Sequence, residues 1–230
     1  MKNNIQGKGY NKGDKYEDKI TNILIDKGIL PEDYKRAGAS NRSDIEIIYK
    51  KKKYKIEVKN KNMGADYGQK ELKWSPERKF YWTDKNPNDP IVKLYYDLNI
   101  IEKYIDKNFI PRRYSKKLNE ITNADKKYDL KMCEKTVEIQ LHALFLYYQN
   151  KNCFYIQIEK SGFYYLAKDI FNLGVPKYDG KIGLRLRAKT RSSEKPYMYG
   201  LLGKIALLKK PTPSQYDLEG LDGREFPFKD

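Results

Sequence analysis

Apolar and polar residues alternate along two short segments that follow one another closely, residues 44–49 and 54–59. Period-two alternation is typical of β-strands that bury one side, so each segment is predicted to place one face against a core. The inward positions are Ile45, Ile47 and Tyr49 in the first segment and Tyr54, Ile56 and Val58 in the second. Only residues 50–53 separate the two segments. The pattern therefore predicts a β-hairpin.

Other segments carry helical or strand periodicity. A helix is predicted from Asp14, with its apolar face at Tyr16, Ile20, Ile23 and Leu24, and Gly28 is expected to end it. Further helical patterns lie at about 70–74, 91–107 and 134–150, and the strand signals are at 154–159, 163–167, 182–190 and 201–208. The order predicts a mixed α/β fold in which helices flank a central sheet. We expect one domain over residues 1–230, and its first 13 residues are expected to form a basic arm.

Charge narrows the class of partner. The chain has 47 Lys and Arg against 31 Asp and Glu, a formal net charge of +16. An excess of this size favours a polyanionic partner, and nucleic acid is the common one. A membrane surface is the rival, but it would require a basic amphipathic helix or a lipidation signal, and neither is evident. Because the N-terminal residues resemble no secretory signal, a cytoplasmic protein is expected.

Composition also limits the chemistry. The two cysteines, Cys133 and Cys153, show no metal-ligand spacing, and His142 is the single histidine. Zinc sites and histidine-based nucleophile chemistry are therefore disfavoured. Any catalysis must use carboxylates and lysines.

The second strand of the predicted hairpin carries such a set. With Ile56 and Val58 facing the core, Glu57 and Lys59 share the opposite face, and Asp44 opens the neighbouring strand. Hard carboxylate oxygens bind Mg²⁺ together with substrate phosphates, and a nearby ammonium group stabilises charge that develops on a phosphoryl group. Two carboxylates placed close together also repel unless a cation lies between them. This pattern fits phosphodiester hydrolysis.

The tripeptide by itself is weak evidence, since the chain contains eight acid–x–Lys tripeptides. Glu57–Lys59 differs from the other seven tripeptides in its context. It lies on a segment with strand alternation, and the preceding predicted strand starts with aspartate. The competing interpretation is a solvated hairpin face on which Lys and Glu alternate for solubility.

The stretch from Ser43 to Ile47, followed by Ile56-Glu57-Val58-Lys59, resembles the core motif of the PD-(D/E)xK nuclease superfamily. Ser43 stands where the motif name has proline, and the resemblance covers about residues 14–75, the expected catalytic core region. It implies a restriction-endonuclease-like core with Mg²⁺ as cofactor. It also implies that Asp44 and Glu57 bind the metal and that Lys59 acts on the attacking water and the transition state. Glu17, on the preceding helix, is a further candidate ligand, although a solvated helix-end carboxylate is an equal alternative.

Two segments are candidates for DNA contact. The glycine-bearing stretch that contains Tyr67 and Gln69 precedes a predicted helix, so its backbone can approach a phosphate, although an ordinary turn and helix cap explains it equally well. Residues 181–191 alternate, and their polar positions should line one exposed face at about 6–7 Å spacing. These cationic positions are Arg185, Arg187, Lys189 and Arg191. They mark residues 154–210 as an additional C-terminal β-rich DNA-contacting region, against the alternative of charge that protects an edge strand.

Together these observations lead us to expect a type II restriction endonuclease, a homodimer that cuts both strands of double-stranded DNA at a short palindrome. Within the superfamily, the alternatives are a junction resolvase, a repair nuclease or a homing nuclease. Outside it, the alternative is a basic nucleic-acid-binding protein without catalysis.

Overall fold

The computed structural model describes residues 12–35, 45–49, 51–60, 69–82, 89–104, 106, 108–190 and 199–228. The fold is mixed α/β, as the sequence predicts. Its helices are α1 (Lys12–Asp26), α2 (Pro90–Asp97), α3 (Ile100–Tyr104), α4 (Asn123–Cys133) and α5 (Leu141–Asn150). Its strands are β1 (Ile45–Tyr49), β2 (Lys52–Lys59), β3 (Gln69–Ser75), β4 (Lys79–Trp82), β5 (Lys135–Ile139), β6 (Cys153–Ile158), β7 (Gly162–Tyr165), β8 (Lys181–Thr190) and β9 (Tyr199–Lys209).

The chain forms two compact units. Unit 1 comprises residues 1–65, 144–180 and 209–230, and unit 2 comprises residues 66–143 and 181–208. Each unit contains one sheet, so each is described separately. The expectation of a single domain stays a prediction.

Unit 1 is built on a four-stranded mixed sheet with the order β1-β2-β6-β7. The predicted hairpin is confirmed: β1 and β2 pair antiparallel, with Ile45 opposite Ile56. β6 then pairs parallel to β2, and β7 pairs antiparallel to β6. A parallel pair requires a crossover connection, and α5, which ends three residues before β6 begins, supplies the helix.

Helix α1 covers one face of this sheet. Its residues Tyr16, Ile20 and Leu24 are buried in one cluster with Ile56 and Val58, as the helical spacing predicts. The predicted end of the helix is also confirmed. Gly28 adopts a positive φ of 69°, and Ile29 and Leu30 both donate backbone hydrogen bonds to the carbonyl of Leu24.

The C-terminal segment of unit 1 belongs to the same core. Leu218 and Phe228 are buried, and the backbone N–H of Leu218 donates to the side-chain oxygen of the buried Gln157 on β6. Gly162 allows this segment to approach β7, because a Cβ on Gly162 would lie 2.5 Å from the carbonyl oxygen of Tyr216. The C-terminal segment therefore packs as part of the core of unit 1.

Unit 2 is built on a five-stranded sheet with the order β4-β3-β9-β8-β5. Aromatic residues cover one face: Trp82 packs on Tyr95 of α2 with ring centroids 4.9 Å apart, and Trp74 meets Tyr114 at 4.3 Å. A buried ion pair supports the helical side, where Asp129 of α4 accepts hydrogen bonds from the Nε and backbone N–H of Arg113. Asp129 is fully buried, so this pairing is needed to offset its desolvation.

Two predictions about unit 2 are wrong. Residues 70–74 form part of strand β3 instead of a helix, and the first part of the predicted helix at 134–150 is strand β5. Both segments pair with distant strands, β3 with β9 and β5 with β8. The predicted helix at 91–107 is divided into α2 and α3 at Asn99, which has a φ of 51°. In the described part of the chain, no α-helix combines the length and apolar character needed to cross a bilayer.

The hairpin supplies a matched pair of variants that tests the packing of unit 1. Ile47 is fully buried and its neighbour Ile48 is 68% exposed. We expect Ile47→Ala to lower the free energy of unfolding by about 2–5 kcal/mol, because it removes buried apolar surface and leaves a cavity. Ile48→Ala should change it by about 0.5 kcal/mol or less. Urea denaturation of both variants measures the difference, and equal losses would contradict the strand orientation.

Candidate active site

Strand β2 is buried on both faces at Ile56, Glu57 and Val58. Ile56 and Val58 lie in the core beneath α1, and the alternation of the strand turns Glu57 and Lys59 to the other side. Glu57 is buried there, with 5% of its surface exposed. The prediction that Glu57 and Lys59 share a face is confirmed. The competing picture of a solvated hairpin face does not describe this end of β2.

Two ammonium groups accompany the Glu57 carboxylate. The Nζ atom of Lys59 lies 2.5 Å from Oε1, and the Nζ atom of Lys151 lies 3.7 Å from Oε2. Both lysine side chains are largely buried, with 11% and 14% of their surface exposed. Charges this far removed from water persist only when they are paired, so the three side chains form one electrostatic unit.

Lys151 is a member of this cluster that sequence reasoning missed. It follows α5 directly, and the next residue, Asn152, adopts a φ of 56° that turns the chain into β6. The carbonyl of Asn152 accepts a hydrogen bond from the backbone N–H of Lys55, which fixes the end of α5 beside β2. The Nζ atom of Lys151 also lies 5.2 Å and 5.4 Å from the ring centroids of Tyr147 and Tyr148. No short motif signals a lysine at this position.

The protonation state follows from these contacts. Burial by itself raises the pKa of the Glu57 carboxyl, but Lys59 and then Lys151 outweigh that effect and hold the pKa below its usual value. Burial in turn lowers the pKa of Lys151, yet the Glu57 carboxylate raises it above the usual value of a lysine. At neutral pH Glu57 is therefore ionised and Lys151 is protonated.

The described residues supply one of the two predicted carboxylate ligands for a hard cation, Glu57. The Oε2 atom of Glu57 is buried without a hydrogen bond of normal geometry from a described residue, but Nζ of Lys151 lies 3.7 Å from it, so a cation bound here would share this oxygen with an ammonium group. The described residues contain no group of three or more His, Cys, Asp or Glu side chains placed to hold a metal ion. Asp44, the second predicted ligand, lies outside the described residues. The hairpin register does bring Ile45, the first residue of β1, opposite Ile56, next to Glu57 in the chain.

Glu17, the third predicted ligand, is half-buried on α1. Helix α1 packs on the face of the sheet that carries Ile56 and Val58, whereas Glu57 points to the other face. A role for Glu17 as a ligand stays a prediction.

Of the two candidate DNA-contacting residues in the glycine-bearing stretch, the structure describes only Gln69. Tyr67 lies outside the described residues, and Gln69 is the first residue of β3, where its backbone pairs with Lys204. Because residues 70–74 form a strand, the expected helix N-terminus that would favour an anion after Gln69 does not exist. Any role of Gln69 in binding phosphate must therefore rest on other contacts.

Strand β8 has the predicted two-sided character. Ile182, Leu184 and Leu186 are buried, and Arg185 and Arg187 are exposed on the opposite face. The backbone of Lys189 continues the strand, and Arg191 lies outside the described residues. β8 lies between β9 and β5 and is not the edge strand, which removes edge protection as the reason for these arginines.

Further basic side chains lie on strands β3 and β9 of unit 2. Alternation along β3 places Lys73 on the face opposite the buried Trp74, and alternation along β9 places Lys204 opposite the buried Ile205. Beside them, the guanidinium of Arg78 lies 3.7 Å from the ring centroid of Tyr81 on β4. Acidic residues offset part of this charge: Glu71 shares the face of β3 that carries Lys73, the carboxylate of Glu138 lies 3.3 Å from Nζ of Lys181, and that of Glu134 lies 3.8 Å from Nε of Arg187.

Comparison of the chain with protein-family models, with curated proteins and with solved structures finds no match. The class that the structure supports is a mixed α/β protein whose mixed sheet encloses a carboxylate–lysine cluster.

Glu57→Gln provides a test of the cluster in metal-free protein. The variant leaves two buried ammonium ions without their carboxylate, so we expect it to lower the free energy of unfolding by roughly 3–5 kcal/mol near pH 7. The pKa of Glu57 is lowered by folding, so its stabilising effect exists above the usual carboxyl pKa and is lost as the pH falls through the folded value. The gap between the two proteins should therefore narrow as the pH falls below the usual pKa of a glutamate carboxyl. Urea denaturation across this pH range, with a chelator present, measures it.

Glu46→Gln is the matched control for this measurement. Glu46 pairs with Lys53 on the same hairpin, but the two side chains are 36% and 65% exposed. Glu46→Gln should lower the free energy of unfolding by about 0.5 kcal/mol or less at any pH. A gap for Glu57→Gln that is equally small, or that does not change with pH, would contradict the buried ion cluster.

Proposed function

We propose that the chain is a Mg²⁺-dependent nuclease that hydrolyses phosphodiester bonds in double-stranded DNA. The observation that supports this most directly is the Glu57–Lys59 pair, enclosed together on one side of β2. Metal-assisted phosphodiester hydrolysis uses ionised carboxylates to bind the metal and a nearby ammonium group to stabilise phosphoryl charge, and Lys59 holds the Glu57 carboxyl in its ionised form here. The motif resemblance and the charge of +16 support the same conclusion.

The roles that we assign follow from the chemistry of each group. Glu57 would hold the cation, with Lys59 paired to its Oε1 atom and Lys151 near its Oε2 atom, and Asp44 is proposed as the second carboxylate ligand. Bound Mg²⁺ would polarise the phosphoryl oxygen and favour ionisation of a water molecule. Lys59 orients that water or stabilises the charge on the phosphoryl oxygens, because its ammonium group remains beside the carboxylate. The low exposure of Glu57 and Lys59 strengthens these electrostatic effects.

More specifically, we propose a type II restriction endonuclease with a restriction-endonuclease-like core, acting as a homodimer on a short palindromic site. Unit 1 supports the core assignment through its hairpin, its parallel β6 and the helix α5 between them. Two-fold symmetry of the enzyme would match the two-fold symmetry of such a site.

Plasmid cleavage tests the proposal. With Mg²⁺, the purified protein should convert a sequenced plasmid into discrete fragments whose ends map to one short sequence, and a chelator should abolish cleavage. Asp44→Asn and Glu57→Gln should each lower the cleavage rate by about 100-fold or more, because each removes a carboxylate oxygen that binds the cation. Thermal melting should accompany each assay, since Glu57→Gln also lowers stability.

Asp97→Asn is the control for this experiment. Asp97 forms an exposed i,i+4 pair with Lys93 on α2 and has no place in the proposed site. The Asp97→Asn variant should cleave DNA at the rate of the parent protein. Parent-like cleavage by folded Asp44→Asn or Glu57→Gln would refute the assigned site. Nicking alone, or cleavage restricted to branched DNA, would favour a repair nuclease or a junction resolvase.

The exposed face of unit 2 is proposed as a DNA-contacting surface. Replacing both Arg185 and Arg187 with Ala should weaken binding of a short DNA duplex about 10-fold or more at moderate salt. The slope of log K against log salt concentration should also fall by about 2, because two phosphate contacts are lost. Fluorescence anisotropy at several salt concentrations measures both quantities.

The control removes the same charge elsewhere in unit 2. Lys126 and Lys127 are exposed on α4, the helix that packs against β8, and replacing both with Ala should leave the slope unchanged. Equal effects of the two double variants would show that only net charge matters and would refute a specific contact surface.

A second function is favoured by the same cluster. Lys59 and Lys151 neutralise Glu57 without any metal, so the cluster also fits a structural ion network in a nucleic-acid-binding protein that has no catalysis. Tight DNA binding with no cleavage under any divalent metal would support this function over the nuclease.

A further inference from the structure

A cavity of about 310 Å³ lies in unit 2 beside β4, the outer strand of the five-stranded sheet. Phe80 and Tyr81 are consecutive on β4, so their side chains leave opposite faces of the strand, and both line the cavity. Helices α2 and α3 supply the other lining residues, which include Tyr95 and Tyr96. Four aromatic rings therefore surround a space whose volume is at the lower end of the range typical of small-ligand sites.

The aromatic residues of the cavity differ in how firmly they are held. Tyr95 is fully buried, and its ring centroid lies 4.9 Å from that of Trp82, so this side of the cavity is fixed by the core. Tyr96, the next residue, is 62% exposed. A tyrosine ring that is exposed beside a preformed cavity offers a face on which a planar ligand can stack.

The polar lining residues limit the ligand further. Asn99 lies between α2 and α3, where a φ of 51° and a backbone hydrogen bond to the carbonyl of Tyr96 fix its position, and Glu102 follows on α3. An amide group donates and accepts, and a carboxylate accepts, which matches the N–H and carbonyl groups on the edge of a nucleobase. A carboxylate disfavours a phosphate inside the cavity. An organic cation would also suit aromatic rings and a carboxylate, but a chain with a charge of +16 repels cations.

Tyr81 connects the cavity with the cationic side of the sheet. It pairs with Lys73 of β3, so the two side chains share the face opposite Trp74. The guanidinium of Arg78 lies 3.7 Å from the ring centroid of Tyr81. A base bound in the cavity would therefore bring its own phosphate close to a cation that already stacks on a lining residue.

We propose that this cavity binds one unstacked nucleobase of the DNA that contacts unit 2, with Tyr96 as the exposed stacking ring and the phosphate outside the cavity, near Arg78. The proposal rests on the proposed function in that it takes DNA as the ligand. Removing a base from the stack is least costly when the base has no pairing partner. DNA that contains an unpaired base is therefore the probe of choice.

Fluorescence anisotropy with two fluorescein-labelled duplexes tests the proposal, with a chelator present so that no cleavage occurs. One duplex is fully paired, and in the other a single adenine faces an abasic site, so both carry the same number of phosphates. The parent protein should bind the second duplex several-fold more tightly. Tyr96→Ala and Tyr96→Leu should each weaken binding of that duplex by about fivefold or more, because both remove the stacking ring, and Tyr96→Phe should bind it like the parent protein.

The paired duplex and a second position supply the controls. Binding of the paired duplex should change by about twofold or less in every Tyr96 variant, since a misfolded variant would lose both ligands. Ile110→Ala is the matched control, because Ile110 is 60% exposed in the same unit and does not line the cavity, and this variant should keep the preference for the unpaired adenine.

Two results would overturn the proposal: no preference in the parent protein, or a preference that Tyr96→Ala and Tyr96→Leu retain. Saturable binding of choline by a protein without the preference would assign the cavity to an organic cation instead. Cleavage is a separate measurement. If the parent protein never cleaves DNA with Mg²⁺, the proposed nuclease function fails, and the dependence of binding on Tyr96 still decides whether the cavity holds a base.

Discussion

Burial of the Glu57 carboxylate beside Lys59 and Lys151 constrains the whole of unit 1. A carboxylate enclosed by a sheet loses its hydration, and only close cations make the ionised form stable there. Lys59 comes from the same strand, but Lys151 must be brought by α5, and the hydrogen bonds of Asn152 to β2 fix that helix end. The ionised state of Glu57 therefore depends on the crossover connection that places the end of α5 beside β2.

The two units present cationic groups in different settings. In unit 1, Lys59 and Lys151 are largely buried, so their interactions are only weakly screened by salt. In unit 2, Arg185 and Arg187 are exposed on a sheet face, where salt screens them strongly. The first arrangement is the one proposed for chemistry on a phosphate, and the second is the one proposed for contacts along DNA.

The sequence predicts unit 1 well because its elements are specified locally. The alternation of residues 44–49 and 54–59 defines the hairpin and the shared face of Glu57 and Lys59, and Gly28 defines the end of α1. Strands β6 and β7 follow from the same kind of pattern, and so do β8 and β9 of unit 2. These elements bury a regular stripe of side chains, and that stripe is visible in the chain itself.

The errors arise where distant pairing overrides local preference. Residues 69–75 contain Gln, Lys, Glu and Leu, which favour helices, but they pair with β9 and β4 and bury Trp74 as a strand. Residues 135–139 become a strand because β8 offers a partner. Lys151 could not be predicted for a related reason. Its closeness to Glu57 depends on the parallel pairing of β2 with β6, and no spacing in the chain encodes that register.

That parallel pairing has a kinetic consequence. The hydrogen bond between the Asn152 side chain and the carbonyl of Lys53 joins residues 99 positions apart, so the two strands meet only after a long loop closes. Chains dominated by such distant contacts fold slowly. During synthesis, α1 and the hairpin emerge well before β6 and the C-terminal segment that complete their core. Their apolar faces remain incompletely covered for that interval, when the nascent chain is most open to aggregation or to chaperone binding.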